Sequence, residues 1–274
     1  MGLTRRAAIR GLLATTIGTL TGAGAYGVGF ERHRLGLTDA TLPVSGLPHA
    51  LDGLRLGLIT DIHHSETVPS SDVRNAVALL SSARPDLIIL GGDYVTWGDR
   101  NFVGPVAELL APLSAPHGVF AILGNHDNDR DMPAALKAKK IEVLRDARTR
   151  LEIKGEGLEL AGIRFWTRRA NEIARVLRRA QDTVILLAHD PRRLVEAAAL
   201  NVPAVLSGHT HGGQVVLPGA GAFMRRNFPI VAGNGARDNT HIFVSRGVGT
   251  VYVPIRINCP PEVAIVTLRR RSEI

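Results

Sequence analysis

Five short apolar runs in this chain each end where a histidine- or aspartate-bearing motif begins, and no other feature constrains its fold as tightly. Residues 54–60 stop at Asp61-Ile62-His63, 87–90 at Gly91-Gly92-Asp93, and 119–123 at Gly124-Asn125-His126-Asp127. Residues 184–188 stop at His189-Asp190, and 202–206 lead into Gly208-His209-Thr210-His211. Short, nearly uninterrupted apolar runs read as strands buried on both faces. Helical stripes lie between them: Val73, Ala76, Val77 and Leu80 behind an N-cap at Ser70 or Ser71, then Val103, Val106, Leu110 and Leu113 with Pro105 near the helix start. Asp190-Pro191 reads as an N-cap and first helical position ahead of Leu194 and Val195. Strands alternating with helices make an α/β sandwich, and in open α/β sheets sites form at the C-terminal strand edge, where all five motifs fall.

Residues 141–165 follow a different pattern. The runs 141–144, 151–153 and 158–163, with Gly155 and Gly157 at a turn, predict short strands of a second, mixed sheet that closes with 242–245 and 263–268. The sequence shows no internal repeat and no domain boundary after residue 50.

The motifs supply Asp61, His63, Asp93, Asn125, His189, His209 and His211, enough nitrogen and oxygen donors for two divalent metal ions. Imidazole mixed with carboxylate suits Mn, Fe, Zn or Co rather than Ca or Mg, and the lack of a thiolate among them argues against structural zinc. Hydrolysis of a phosphoester at a two-metal site is the chemistry such a set fits. The one cysteine, Cys259, cannot form an internal disulfide and reads as a small packing residue. His64 reads as a supporting or solvent-facing residue, and His33, His49, His117 and His241 as surface or packing residues.

The ordered set D-x-H, G-D, G-N-H-D, H and G-H-x-H resembles the calcineurin-like metallophosphoesterase family over roughly residues 54–268. The strings Gly208-His209-Thr210-His211-Gly212-Gly213-Gln214 and Asn258-Cys259-Pro260-Pro261-Glu262 look like its exported, YkuE-like or YaeI-like phosphodiesterase branch. The resemblance implies a four-layer α/β/β/α sandwich, two mixed β-sheets flanked by helices. It also implies one ion on Asp61, His63, Asp93 and His211, and a second on Asp93, Asn125, His189 and His209, with Asp93 bridging. Ions roughly 3.5–4 Å apart can activate water and clamp the phosphoryl oxygens during in-line displacement. His126 matches the family's non-ligand histidine, placed to stabilise the transition state or protonate the leaving oxygen, and Asp127 is expected to orient its ring. Thr96 stands where many members carry another aspartate, and His64-Ser65 where a glycine often follows D-x-H. Neither change touches a ligand, but both bear on pocket shape.

The first thirty residues read as an address. Thr4-Arg5-Arg6-Ala7-Ala8-Ile9-Arg10 precedes an uncharged stretch from 11 to 30, with Ala23-Gly24-Ala25 as a small-residue cleavage site. The paired arginines resemble a twin-arginine signal, read by the export machinery, while a plain membrane anchor is the other reading of the same stretch. The resulting division is 1–30 signal or anchor, 31–53 linker and 54–274 catalytic domain, facing the periplasm, the cell wall or the outer face of the cytoplasmic membrane.

An apolar content of 45% suffices for a core, and a formal charge of +8 favours anionic partners. No basic stripe is interleaved with aromatics, so nucleic acid is a poor fit. The expected partner is a phosphoester substrate, either a small mono- or diester or a phospholipid-type headgroup at the membrane surface, with Arg225-Arg226 as candidates for a headgroup contact. Two other functions use the same residues: hydrolysis of a UDP-2,3-diacylglucosamine-type nucleotide-lipid pyrophosphate, and a catalytically silent protein that binds metal or a partner.

Overall fold

The computed structural model describes residues 18, 19, 21–222 and 227–271. Arg5 and Arg6 lie outside them, as do Arg225 and Arg226. Fourteen strands and six helices are described: α1 (residues 21–29), β1 (Gly36–Val44), β2 (Arg55–Ile59), α2 (Ser70–Ser82), β3 (Leu87–Leu90), α3 (Arg100–Leu110), β4 (Val119–Ala121), α4 (Asp131–Ala138) and β5 (Glu142–Val143). There follow β6 (Ala147–Ile153), β7 (Glu156–Gly162), α5 (Ala170–Leu177), β8 (Thr183–Leu187), α6 (Leu194–Ala199), β9 (Ala204–Ser207), β10 (Val216–Leu217), β11 (Gly221–Ala222), β12 (Gly233–Arg237), β13 (Thr240–Val244) and β14 (Glu262–Arg270). No described helix is long and apolar enough to cross a membrane.

The strands build two six-stranded sheets, ordered β1-β14-β2-β3-β4-β5 and β12-β13-β9-β8-β7-β6. Alternate residues of each central strand enter different cores, which is why these runs are apolar throughout. Leu56, Leu58, Leu87, Ile89, Ile185, Leu187 and Leu206 fill the space between the sheets. Ile88 and Leu90 face the other way, onto Val73, Val77, Leu80, Val103 and Val106 of α2 and α3. Val184, Leu186 and Val205 pack on Ile173, Leu194 and Ala197 of α5 and α6. The layers are therefore α/β/β/α. In the first sheet β2, β3 and β4 run parallel, and in the second β7, β8, β9 and β13 do, so their C-terminal ends collect at one edge of each sheet.

Several expectations need correction. The segment 31–53 is not a linker: it carries β1, paired in parallel with β14 along nine residues. Only Leu42 and Val44 of this edge strand are buried, so its apolar residues form no continuous run, and Pro43 is tolerated because an edge strand need not donate on both sides. Residues 263–268 do not close the second sheet; as β14 they lie between β1 and β2 of the first, antiparallel to β2. The run 141–144 likewise joins the first sheet, as β5 beside β4. An apolar run shows that a strand is buried but not which strand it pairs with. The 151–163 region does form the expected hairpin, β6 with β7, and its turn residues Lys154 and Gly155 both take positive φ. Neither Ser70 nor Ser71 caps α2, which starts directly after Pro69, and Pro105 sits inside α3 rather than near its start, behind an Asp99 cap.

Candidate metal centre

The loops beyond β2 and β3 extend their strand pairing. The amide of Asp61 donates to the Gly92 carbonyl at 2.9 Å and that of His63 to the Asp93 carbonyl at 3.0 Å. The backbone then turns sharply. Asp61, His63, Asp93, His209 and His211 all adopt left-handed φ, between 49° and 73°. Each such residue costs about 1–3 kcal/mol, and backbone outliers of this kind cluster where geometry serves function.

Two donor triads result, Asp61–His63–His211 and Asp93–His189–His209, each with atoms within 4.8 Å of one another. His63 Nε2 is 3.1 Å from His211 Nε2, and His211 Nε2 is 3.4 Å from Asp61 Oδ1. Asp93 Oδ2 stands between the triads, 3.4 Å from His63 Nε2 and 3.1 Å from His189 Nε2. Spacings near 3 Å are those of donors sharing a coordination sphere of radius about 2.0–2.2 Å. His209 and His211, two residues apart, belong to different triads; both take left-handed φ, 73° and 51°, with Thr210 between them in a right-handed helical conformation.

The donors suit cations. Asn125 Oδ1 and His189 Nε2 are buried without a hydrogen-bond partner, an expensive arrangement unless a cation satisfies them. His189 Nδ1 lies 2.7 Å from the Gly91 carbonyl, to which it donates, so the lone pair on Nε2 faces the centre. Burial presses the His189 pKa down, yet the Asp93 and Asp61 carboxylates outweigh it and raise it to about 10, so an ion binding at Nε2 takes the place of a proton that the same carboxylates hold there. Burial and the neighbouring His189 push His209 down to about 4, and burial with His63 holds His211 well below the usual range, favouring neutral, ligand-ready rings.

Close packing explains the motif glycines. A Cβ on Gly124 would land on the Asp93 carboxylate, and one on Gly208 would land on that of Asp61. The Asp61 carboxylate itself joins the two sheets, accepting the His209 amide at 2.9 and 3.0 Å from beyond β9.

Asp127 does not orient His126. Its carboxylate accepts three backbone amides, from Asp93 at 2.8 Å, Tyr94 at 2.7 Å and Gly124 at 2.8 Å, tying the loops after β3 and β4 together. Burial and the nearby Asp93 raise its pKa to about 7. An orphaned buried amide costs about 1–3 kcal/mol. Asp127→Ala strands three of them, so its denaturant midpoint is expected to fall further than that of His126→Ala, which strands only the Trp97 amide.

The His126 ring is set instead by Trp97, whose backbone amide donates to Nδ1 at 3.2 Å, leaving Nε2 to carry the proton. Its own amide donates to Asp93 Oδ1 at 2.8 Å, and burial lowers its pKa. Thr96 takes up a supporting place, its hydroxyl 3.3 Å from His63 Nδ1. His64 is a satisfied core residue, with Nδ1 bonded to the Val68 carbonyl at 2.9 Å. Cys259 is buried with its pKa raised by that burial, as a packing residue should be.

The motifs do not reveal a second layer behind the centre. The amides of Val248 and Gly249 donate to the carbonyls of Thr60 and Asp61, walling in the Asp61 turn. Fully buried Arg256 holds that wall, donating to the carbonyls of Arg246 at 2.8 Å, Gly247 at 3.1 Å, Gly249 at 2.6 Å and Cys259 at 3.0 Å. The sequence signal was the Gly247-Val248-Gly249 triplet following an apolar run; an arginine that binds carbonyls has no motif.

Hydrolysis of phosphoric esters with bound metal is the class of activity that this fold and donor geometry define. A family model described as Calcineurin-like phosphoesterase matches residues 54–213, and the chain belongs to that family. It is 31% identical to the uncharacterized metallophosphoesterase YkuE of Bacillus subtilis, over 97% of this chain and 98% of that protein. It is 32% identical to the phosphodiesterase YaeI of Escherichia coli, over 77% of this chain and 80% of the relative. An uncharacterized metallophosphoesterase of Aquifex aeolicus is 31% identical over 91% and 97%.

Proposed function

We propose that the chain is an exported phosphoesterase that works with two divalent ions, Mn, Zn, Fe or Co, on small phosphoesters or phospholipid-type headgroups. One observation carries the reading: two donor triads, buried except for the half-buried His209, meet at the single carboxylate oxygen of Asp93. Asp61, His63, Asp93 and His211 would hold one ion, and Asp93, Asn125, His189 and His209 the other. When bound, the ions supply a nucleophile from water and neutralise charge developing on the phosphoryl oxygens.

The chain's own residues do the rest. Asp127 and the Arg256 wall keep the donors in place, so little reorganisation accompanies substrate binding. His126, whose Nδ1 accepts the Trp97 amide, presents Nε2–H as a hydrogen-bond donor to the leaving oxygen and stabilises the negative charge that builds there as the ester bond breaks, while the proton that completes the alcohol comes from water. Elemental analysis of Mn- or Zn-reconstituted protein is expected to find two ions per chain, with activity lost in chelator and regained on reloading. Fewer than two ions in active protein would refute the binuclear reading; two ions with no activity on any phosphomonoester or phosphodiester would favour a silent metal-binding protein.

Export rests on the Arg5-Arg6 pair ahead of the uncharged stretch. The twin-arginine receptor reads guanidinium geometry rather than charge alone. Replacing both residues with Lys is therefore expected to trap precursor in the cytoplasm; unchanged fractionation would rule out this route.

A further inference from the structure

Two exposed aromatic rings flank the entrance to the metal centre, and no motif accounts for them. Trp97 is 69% exposed and Tyr252 is 76% exposed. Their centroids are 5.5 Å apart with planes at 64°, and Trp97 stands 4.5 Å and Tyr252 6.2 Å from the ring of His126. The cavity above the metal donors, about 170 Å³, has Asp93, Asn125, His126 and His209 at its base and Gln214 and Tyr252 in its wall.

Both rings are held at a conformational cost. Trp97 has φ 53° and Tyr252 φ 62°, a region that bulky side chains avoid. Each is also tied to the centre. The Trp97 amide bonds His126 Nδ1, and the Gly98 amide donates to the His126 carbonyl at 2.7 Å. The loop of Tyr252 is gripped by the side chain of Gln214, directly after the turn that carries His211. Its Oε1 accepts the Val251 amide at 2.7 Å, and its Nε2 donates to the carbonyls of Val251 at 3.1 Å and Val253 at 3.4 Å. Strained backbone that fixes solvent-exposed rings beside a hydrogen-bond donor marks a place built for a ligand.

We propose that Trp97 and Tyr252 form a subsite for the leaving group, and that the group it takes carries a flat aromatic ring a short linker from the ester oxygen, as a nucleoside or arylalkyl alcohol does. The placement rests on the reading of His126 as donor to the leaving oxygen, since the rings adjoin that residue. Two rings in an edge-to-face arrangement offer one exposed face to stack on and one edge to meet, which a flat ring satisfies and a puckered or linear chain does not.

The test compares 2-phenylethyl methyl phosphate with 2-cyclohexylethyl methyl phosphate on metal-loaded protein, following release of the larger alcohol. The two leaving alcohols are primary, with six-carbon rings, and differ chiefly in flatness. The phenyl ester is expected to show kcat/KM about 3- to 10-fold higher, expressed in KM, and Trp97→Leu and Tyr252→Leu are each expected to shrink that ratio towards unity. Equal rates in the unmodified protein, a preference for cyclohexyl, or a ratio untouched by both substitutions would overturn the proposal. A second measurement needs no turnover. Trp97 and Trp166 are the only two tryptophans, so Trp166→Phe leaves Trp97 as the sole indole. Its fluorescence should be quenched saturably by 4-nitrophenethyl methylphosphonate, with affinity about 3- to 10-fold weaker after Tyr252→Leu. Linear, purely collisional quenching would overturn the subsite. If neither ester is cleaved, the reading of the centre fails while the quenching still decides the subsite.

Discussion

Asp93→Ala is expected to abolish turnover and leave the protein unable to retain either ion after dialysis. The carboxylate oxygen Oδ2 lies within 3.4 Å of His63 Nε2 and within 3.1 Å of His189 Nε2, one ring from each triad, so its removal opens both at once. The other oxygen accepts the His126 amide at 2.8 Å, so the same substitution loosens that hydrogen-bond donor. Substitution of Asp61 or His209, each in one triad only, should instead weaken one ion more than the other. Metal titration followed by elemental analysis separates these patterns. Retention of two ions by Asp93→Ala would contradict the shared-ligand geometry.

His126→Ala is expected to keep both ions and to lose about 10²- to 10³-fold in kcat on alkyl phosphoesters, whose developing alkoxide depends on the Nε2–H hydrogen bond. The loss should be shallow on nitrophenyl esters, whose phenolate leaves without that hydrogen bond. An equal loss across leaving groups would point to electrostatic stabilisation of the phosphoryl oxygens instead. Full activity on alkyl esters, or loss of an ion, would show that the role assigned to His126 is wrong. Because its ring is oriented by a backbone amide of Trp97, side-chain substitution at 97 should leave the tautomer intact.

The centre was legible in the sequence because parallel strands place their C-terminal residues side by side whatever else the chain does. His189 and Asp93 lie 96 positions apart yet end neighbouring loops of the two facing sheets, and a motif read in strand order captures that. What escaped was information that no local pattern holds. β1 was hidden because an edge strand with two buried residues has no apolar run to betray it. The apolar run of β14 marks it as a strand without marking its sheet, since burial on both faces looks the same beside any partner. Asp127 stands inside a motif, but its three amide bonds depend on how two loops meet in space, which the motif does not encode. Arg256 serves carbonyl groups, which every residue carries, and so leaves no trace in spacing or type.

The position of β14 has a consequence for biogenesis. It is the last of the described strands in the chain, yet it is wedged between the first two, with Thr38 donating to Glu262 across a separation of 224 residues. Until β14 is made, β1 has no strand to pair with and β2 has an unpaired edge. The first sheet cannot close until residues 262–270 have been made. Such long-range pairing is slow and leaves exposed edges open to association in the interval. The nascent chain thus has reason to need a holding factor, and removing β14 should yield aggregate rather than a smaller folded protein.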